Sequence, residues 1–323
     1  MRGCARMRNM DTLPREYDIP LSHFHEAASA IQGKVLRSPL VELEPHLYLK
    51  AENMQPSGSF KIRGATYCMS RLSPEAKKRG VITYSTGNHA QAVALASQRL
   101  QIPATIVMSP DAPLFKIERT KEYGAAVVMT EPSSLIRRTL AEEIAARDNL
   151  TLVPPYDHLD ILAGQGTIGL EILQEMTPAY VFVPVGGGGL ISGIAMAIKK
   201  QNPQVVLIGV EPELENDAYQ TFQVGHRVRL EKSSSSIADA IKIQELGNIT
   251  YPIMQAYVDE MVQVSEEEIK QATREILDRG HLFVEPSGAL GLAGARAYKV
   301  KNRPTVCIVS GGNTLLANLS AII

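Results

Sequence analysis

An α/β fold built from parallel sheets in two lobes is what this sequence predicts, on three observations. Strand-like and helix-like segments alternate over most of the chain, the pattern of βαβ units. Small, Gly-containing turns recur where a strand ends and a helix begins, the place where open α/β sheets bind ligands. With 323 residues the chain can bury a sizeable core, as one large domain or two smaller ones. No clean linker divides it, and a cleft between the lobes is the expected place of one reactive lysine.

In chain order, a helix is predicted near Leu21–Ile31, with Ser22 as its cap and apolar residues at helical spacing. A short strand around Leu47–Lys50 leads into the turn Pro56-Ser57-Gly58-Ser59. Phe60-Lys61-Ile62-Arg63-Gly64-Ala65 then opens a segment with the apolar content of a buried helix. Ser73-Pro74 signals another helix start. Strands follow near Val81–Ser85, Ala104–Met108 and Ala126–Met129, separated by helices near Asn88–Leu100, Leu114–Tyr123 and Ser133–Arg147. After Tyr156 the alternation resumes with a helix near Ile161–Glu175 and a strand Tyr180–Val185. Further units lie at Leu190–Lys200, Val205–Val210, Glu266–Arg279, Gly288–Lys299 and Thr305–Val309.

Composition removes several function classes. A formal net charge of −1 gives no electrostatic case for nucleic acid or an anionic membrane. Cys4, Cys68 and Cys307 show neither metal spacing nor a CxxC. Cys68 and Cys307 sit in apolar runs and read as buried thiols of a reducing compartment, hence a cytoplasmic protein. The start, Met1 to Met10, is basic but lacks the apolar core of a secretory signal; it is expected to be disordered, with Met10 as a second candidate start. Met176 to Ile198 lacks charge for long enough to span a bilayer, but Pro184 and four glycines interrupt it and its halves read as strand then helix.

Five stretches carry chemistry. Lys61 follows a small polar turn at a loop-to-helix junction; desolvation there lowers an amine's pKa and frees it to attack a carbonyl. Taken alone, it reads most simply as a surface lysine at a helix start. Gly186-Gly187-Gly188-Gly189 lies between a strand and a helix, where converging N–H groups and the helix N-terminus suit a phosphate, or where a turn is merely flexible. It is neither G-x-G-x-x-G, which fails at Ile191, nor a Walker A loop. Ser85-Thr86-Gly87-Asn88-His89 can bind a carboxylate at a strand end, or simply cap a helix. Ser310-Gly311-Gly312-Asn313 occupies another carboxyl strand end. Glu211-Pro212-Glu213-Leu214-Glu215-Asn216-Asp217 is an acidic turn, most simply a solvated surface. His89, His158 and His281 are scattered outside any HExxH or GxSxG pattern, so they support neither a metal nor a triad.

The ordered set Lys61, Ser85–His89, Gly186–Gly189 and Ser310–Asn313 resembles the fold-type II pyridoxal-phosphate enzymes, specifically the serine/threonine dehydratase and serine racemase family, from about Ile19 to the C-terminus. The resemblance implies the tryptophan-synthase-β-like architecture. Residues 1–76 and 155–323 would form the large cofactor-binding domain and 77–154 the small one. Ten residues after Asn313 leave no room for the regulatory domain of allosteric threonine dehydratases. It also implies pyridoxal 5′-phosphate held by Lys61, its phosphate on Gly186, Gly187, Gly188 and Gly189, and its ring between Phe60, Asn88 and Ser310. The substrate carboxylate would bind at Ser85, Thr86, Gly87, Asn88 and His89. A divalent cation (magnesium, calcium or manganese) would sit on Glu211, Asp217 and the Glu215 carbonyl, ligands of all-oxygen type. A homodimer or higher homo-oligomer acting on an amino acid is the expected assembly.

The implied activity is elimination of ammonia from a β-hydroxy amino acid, L-threonine or L-serine, with 3-hydroxyaspartate and others open. A hydroxyl at Ser310 does not force the ring nitrogen to be protonated, which favours elimination over transamination. Racemisation is the nearest alternative. It needs a second acid/base, for which racemases carry a serine where this chain has Thr86, and they carry an asparagine near where Tyr156 aligns. Threonine keeps the hydroxyl but adds a methyl and restricts χ1. Both departures point to a dehydratase, while the cation site points back. A cysteine-synthase-like replacement is disfavoured because Lys61-Ile62-Arg63 lacks that branch's acidic residue. A non-catalytic ligand-binding protein on the same fold is the alternative from another class.

Overall fold

The computed structural model describes residues 3–5, 13–231 and 235–322. Its strands are β1 (Gly3–Ala5), β2 (Leu40–Glu44), β3 (Leu47–Ala51), β4 (Val81–Tyr84), β5 (Ala104–Met108), β6 (Ala126–Met129), β7 (Thr151–Leu152), β8 (Tyr180–Pro184), β9 (Val206–Pro212), β10 (Glu260–Val264) and β11 (Thr305–Val309). Its α-helices begin with α1 (Leu21–Ile31), α2 (Lys61–Ser70), α3 (Pro74–Arg79), α4 (Asn88–Leu100), α5 (Leu114–Glu122), α6 (Ser134–Asp148) and α7 (Leu159–Glu175). The remainder are α8 (Gly189–Lys199), α9 (Asp217–Val224), α10 (Thr250–Tyr257), α11 (Glu266–Asp278), α12 (Leu290–Tyr298) and α13 (Leu316–Ser320).

Two sheets form, as the alternation predicts. The larger runs β1-β10-β9-β8-β11-β3-β2 and the smaller β6-β5-β4-β7. Every pairing in the smaller sheet is parallel. The larger is parallel from β10 to β3, with antiparallel strands at its two edges. All four strands of the smaller sheet fall between residues 77 and 154.

The central strand β8 shows why its sequence is a continuous apolar run. Val181 and Val183 join the core under α7 and α8 with Ile191 and Ile194, while Phe182 points the other way into the core with Leu290 and Leu292 of α12. A strand covered by helices on both faces needs no polar alternation. This resolves the charge-free stretch Met176–Ile198 into β8, a glycine turn and α8. Among the described residues no helix is long and apolar enough to cross a membrane.

Helix α2 belongs to both halves. Ile62, Ala65 and Met69 pack with Val93, Ala96 and Ile106 of the smaller lobe. Its Gly64 meets Gly164 of α7, where a Cβ on Gly164 would stand 2.6 Å from the Gly64 Cα. The helix that begins with Lys61 is therefore wedged between the lobes, which places the lysine at their junction.

Some expectations need correction. Ser22 does not cap α1: the N-cap is Pro20, without a side-chain bond, and Ser22 lies inside the first turn. Ser73 does cap α3, accepting from the Ala76 amide at 3.2 Å. The segment 288–299 divides into a 3₁₀ turn, Pro286–Ala289, and α12. Of the basic start, Gly3–Ala5 pair antiparallel with β10 rather than being disordered. Met1, Arg2 and residues 6–12, with Met10 among them, lie outside the described residues.

Candidate active site

Lys61 is the first residue of α2. Its Nζ donates to the Pro155 carbonyl at 2.7 Å and sits 5.2 Å from the centre of the Phe60 ring. The residue as a whole is half-buried, yet its amine end is surrounded by protein, and that desolvation lowers its pKa to about 8. At pH 7 roughly a tenth of this amine is then uncharged, the form a nucleophile or base requires.

The turn before Lys61 is stitched to the loop after β11. Phe60 donates its N–H to the Ser310 carbonyl at 3.1 Å, Gly312 donates to the Gly58 carbonyl at 2.9 Å, and Ser59 and Gly311 form an isolated antiparallel bridge. Asn313 fills the centre of this junction. A Cβ on Gly58, whose φ is +75°, would stand 2.1 Å from Asn313 Oδ1, so only glycine fits both the conformation and the space. Asn313 Nδ2 donates to the Ser57 carbonyl at 2.8 Å and to Asn88 Oδ1 at 2.7 Å, and Asn88 Nδ2 donates to Glu285 Oε1 at 2.6 Å. From α5, Arg119 Nη1 reaches Asn313 Oδ1 at 3.1 Å and Lys116 pairs with Asp239 at 3.2 Å. Groups from both lobes thus alternate in one chain of bonds.

The Ser85–His89 loop leaves β4 and becomes α4. Ser85, Thr86 and Gly87 line accessible space: a Cβ on Gly87 would meet nothing within 4 Å. The first-turn amides of α4 face this space with no carbonyl of their own helix to bind. His89 behaves differently from its neighbours. Its Nε2 lies 3.0 Å from the Val153 carbonyl, so that nitrogen carries the proton and Nδ1 keeps a lone pair without a partner. Burial, with the nearby Lys61 charge, lowers its pKa to about 3, so the ring is neutral.

Gly186–Gly189 form the bend between β8 and α8. Gly188 has φ +85°, and a Cβ there would meet Met254 Sδ at 2.8 Å and Thr250 Cβ at 2.9 Å. Thr250 Oγ1 donates to the Gly187 carbonyl at 2.7 Å, turning that carbonyl outward from the bend. The amides of Gly186, Gly187 and Gly188 donate to no carbonyl among the described residues. Tyr156 lies along the bend: a Cβ on Gly187 would stand 2.6 Å from its ring, and one on Gly189 would stand 2.8 Å from its Cβ. Tyr156 directly follows Pro155, the partner of Lys61, so lysine and glycine loop meet across two consecutive residues.

These residues fit a pyridine aldehyde bearing a phosphate. Open amides and a helix N-terminus suit the phosphate. Buried Ser59 Oγ, His89 Nδ1 and Glu285 Oε2 have no partner in the protein, which is the mark of a polar cavity awaiting a ligand. Burial first, then the Asp239 charge, raises the Glu285 pKa to about 7, while the Lys116 charge opposes it. Gly187→Val should weaken phosphate binding at least tenfold, because its side chain would force Tyr156 off the loop. A cofactor titration of wild type and variant measures this, and equal affinities would show that the loop is only a turn.

The acidic turn is not a solvated surface. Glu211, Glu215 and Asp217 are all buried, at 1%, 0% and 1% exposure. Glu211 accepts the Ala218 and Tyr219 amides at 3.2 and 2.7 Å, whereas neither oxygen of Asp217 has a hydrogen-bond partner. Burial raises the Asp217 pKa to about 8, and burial together with the Asp217 charge raises that of Glu211. Buried carboxylates shed their charge by protonation, as these raised pKa values favour, or balance it with a cation, and the all-oxygen donor set fits a hard divalent ion.

Sequence reasoning missed Glu285, Ser59, the Pro155 carbonyl and Arg119. Their partners lie 94 to 197 residues away along the chain or, for Ser59, across a backbone bridge. The one available signal was Glu285 in an otherwise apolar stretch, Leu282 to Leu292.

A family model described as pyridoxal-phosphate dependent enzyme matches residues 31–311. An L-threo-3-hydroxyaspartate ammonia-lyase from Pseudomonas sp is 41% identical over 94% of this chain and 99% of its own length. A serine racemase from Schizosaccharomyces pombe is 43% identical over 93% and 94%. Among solved structures, threonine deaminase isoform 2 of Solanum lycopersicum superposes with a TM-score of 0.91 at 35% identity, covering 100% of this chain and 97% of the other.

Proposed function

Since the chain belongs to the pyridoxal-phosphate dependent enzyme family, in its fold-type II serine/threonine dehydratase and serine racemase branch, we propose that it is an ammonia-lyase converting a β-hydroxy amino acid, L-threonine or L-serine, to a 2-oxo acid and ammonia. One observation carries the reading: Lys61 Nζ rests on the Pro155 carbonyl, next to the tyrosine that lies on the glycine loop.

In this reading Lys61 is the cofactor's covalent anchor and the base for the α-proton, its neutral form favoured by burial and its direction set by Pro155. The amides of Gly186–Gly189 hold the phosphate. Phe60, Asn88 and Ser310 would hold its ring. Bound pyridoxal 5′-phosphate supplies the electron sink for the charge left at the α-carbon, and a hydroxyl rather than a carboxylate at its nitrogen makes that sink a weak one. Ser85, Thr86, Gly87 and Asn88 bind the substrate carboxylate through the amides and hydroxyls at the start of α4. His89 contributes its backbone N–H, because the lone pair at Nδ1 would repel a carboxylate. Glu211, Asp217 and the Glu215 carbonyl hold a divalent cation that braces the loop after β9.

Removing that ion should destabilise the protein. At a cation concentration a hundred times its Kd, binding adds about 2.7 kcal/mol. Chelation should therefore lower Tm by several degrees in wild type and leave Asp217→Asn unmoved. Acidification should mimic chelation, since protonating Asp217 removes a ligand charge. A chelator-insensitive Tm would remove the cation from the account.

A racemase is the second reading, favoured by the likeness to the yeast enzyme and to maize serine racemase, which superposes with a TM-score of 0.90 at 34% identity. A chiral assay separates the two: pyruvate should outpace D-serine formed from L-serine, and the reverse would make racemisation the main activity. The substrate screen includes 3-hydroxyaspartate because of the Pseudomonas relative. It reads 2-oxo acid release from threonine, serine and 3-hydroxyaspartate with and without magnesium. A colourless protein that no added cofactor reconstitutes, releasing nothing in that screen, would favour the binding-module alternative. Buried free thiols at Cys68 and Cys307 support a cytoplasmic setting, and a homodimer or higher homo-oligomer is the proposed assembly.

A further inference from the structure

Two turns along α2 from Lys61, three side chains of metal-ligating type come together from positions the sequence keeps 90 residues apart. Cys68 of α2, His158 and Asp160 place a ligand atom each within 4.8 Å of one another. Neither the acidic turn nor the catalytic groups include any of them. A fourth group borders the cluster: His23 of α1 has Nε2 3.1 Å from Asp160 Oδ1.

We propose that Cys68, His158 and Asp160, with His23 as the fourth ligand, form a site for a zinc-type transition-metal ion. A thiolate, an imidazole and a carboxylate lie within reach of one ion, with the His23 imidazole bordering them at Asp160; these donors are of zinc type and differ in kind from the all-oxygen acidic turn. His158 Nδ1 accepts the Asp160 amide at 3.2 Å, so that lone pair is engaged, and an arriving ion has to displace this capping bond or take Nε2 after a change of tautomer. Cys68 is buried, and its burial pushes the thiol up to about 12, so an arriving ion must displace that proton. His158, Asp160 and His23 are half-exposed and provide the way in. The present occupant of the negative charge is Arg71, whose Nε is 3.2 Å from Asp160 Oδ1. An ion entering the cluster takes its place.

The position gives the site a consequence. Cys68 is seven residues beyond Lys61 on one helix, two turns or about 10 Å along the same face. His158 is three residues beyond Pro155, whose carbonyl orients the lysine. An ion bridging Cys68 and His158 ties together the two segments that fix the Lys61 amine. Metal binding therefore shifts Lys61 and slows turnover.

Cadmium tests this, because its thiolate complexes have an ultraviolet charge-transfer band that oxygen ligands do not produce. With the holoenzyme in excess magnesium, one equivalent of Cd²⁺ should give the band and Zn²⁺ should abolish it by competition. Cys68→Ala should lose the band and Cys307→Ala should keep it. Asp160→Asn, a change of little volume, should weaken Cd²⁺ binding roughly 10- to 100-fold, as should His158→Gln. Arg71→Gln should tighten it. Zn²⁺ should inhibit wild type at the concentration that displaces Cd²⁺, while Cys68→Ala turns over at the same rate with and without it. No band in wild type, or a band that survives in Cys68→Ala, overturns the site. Equal inhibition of wild type and Cys68→Ala overturns its link to Lys61.

Discussion

Lys61→Ala is expected to lower kcat by roughly 10⁴-fold, the upper end of what a positioned acid–base group contributes. The fold should survive. Alanine keeps the helix start, and the change removes a partly desolvated amine rather than a packing residue. The Pro155 carbonyl loses its donor, which costs on the order of 1 kcal/mol. The decisive measurement is chemical as well as kinetic. Borohydride reduction followed by digestion and mass spectrometry should find the cofactor's mass on the peptide containing Lys61 in wild type and on no peptide of the variant. Attachment elsewhere, or retained turnover, would remove the lysine from the reaction. Activity should also depend on pH through the same group. Its folded pKa lies below that of a free lysine, so the uncharged form is reached near pH 8 rather than above 10, and rates limited by that base should rise from pH 7 to 9.

Arg63→Met is expected to cost about 3–5 kcal/mol of stability, the largest single effect outside the chemistry. Arg63 is fully buried, two residues beyond Lys61. Its Nε and Nη2 hold the two Glu52 oxygens at 2.8 Å each, and its Nη1 and Nη2 hold Glu171 at 2.7 and 2.9 Å. Thr167 Oγ1 and the Leu36 carbonyl take further N–H groups at 3.1 and 3.2 Å, and Lys50 Nζ approaches Glu171 at 2.8 Å. Burial alone would raise the Glu52 pKa, but Arg63 more than reverses it, and the carboxylate stays below its usual range. Removing the guanidinium therefore leaves Glu52 buried without its main counter-charge, and burial drives it to the protonated form. A lysine would not rescue it, because a single ammonium cannot fork between two carboxylates. The sign with pH follows. A depressed carboxylate stabilises above its unfolded pKa and loses that contribution as pH falls through the folded one. Wild type should lose stability below pH 5 more steeply than Arg63→Met, in which Glu52 no longer has the charge to lose. Denaturant midpoints at pH 7 and pH 4 measure both effects. A loss under 1 kcal/mol would mean that Glu52 escapes to water.

The strands and helices of the α/β alternation were legible because each carries its own period and its own breaker. β5, β6, α4 and β11 fall at the residues the pattern gives them. Those that escaped lack such a signal. β7 has two residues. α9 begins inside a turn whose acidity reads as surface, and α10 carries Pro252 in its first turn. The site was legible as a set of turns, since Gly58, Gly188 and the Ser85 loop announce special backbone. Its wiring was not. Asn88 meets Glu285 and Lys61 meets Pro155 only after the lobes fold together, and nothing local in either partner announces the other. The acidic turn shows the opposite case: its charge alone reads as solvation, and only the fold reveals that all three residues are buried.

The alternating chain Arg119–Asn313–Asn88–Glu285 has a consequence for the catalytic cycle. Its first and third members belong to one rigid half and its second and fourth to the other, like fingers interlaced across a hinge. Any separation of the halves would break this chain at Asn88 and with it the setting on which the proposed chemistry depends.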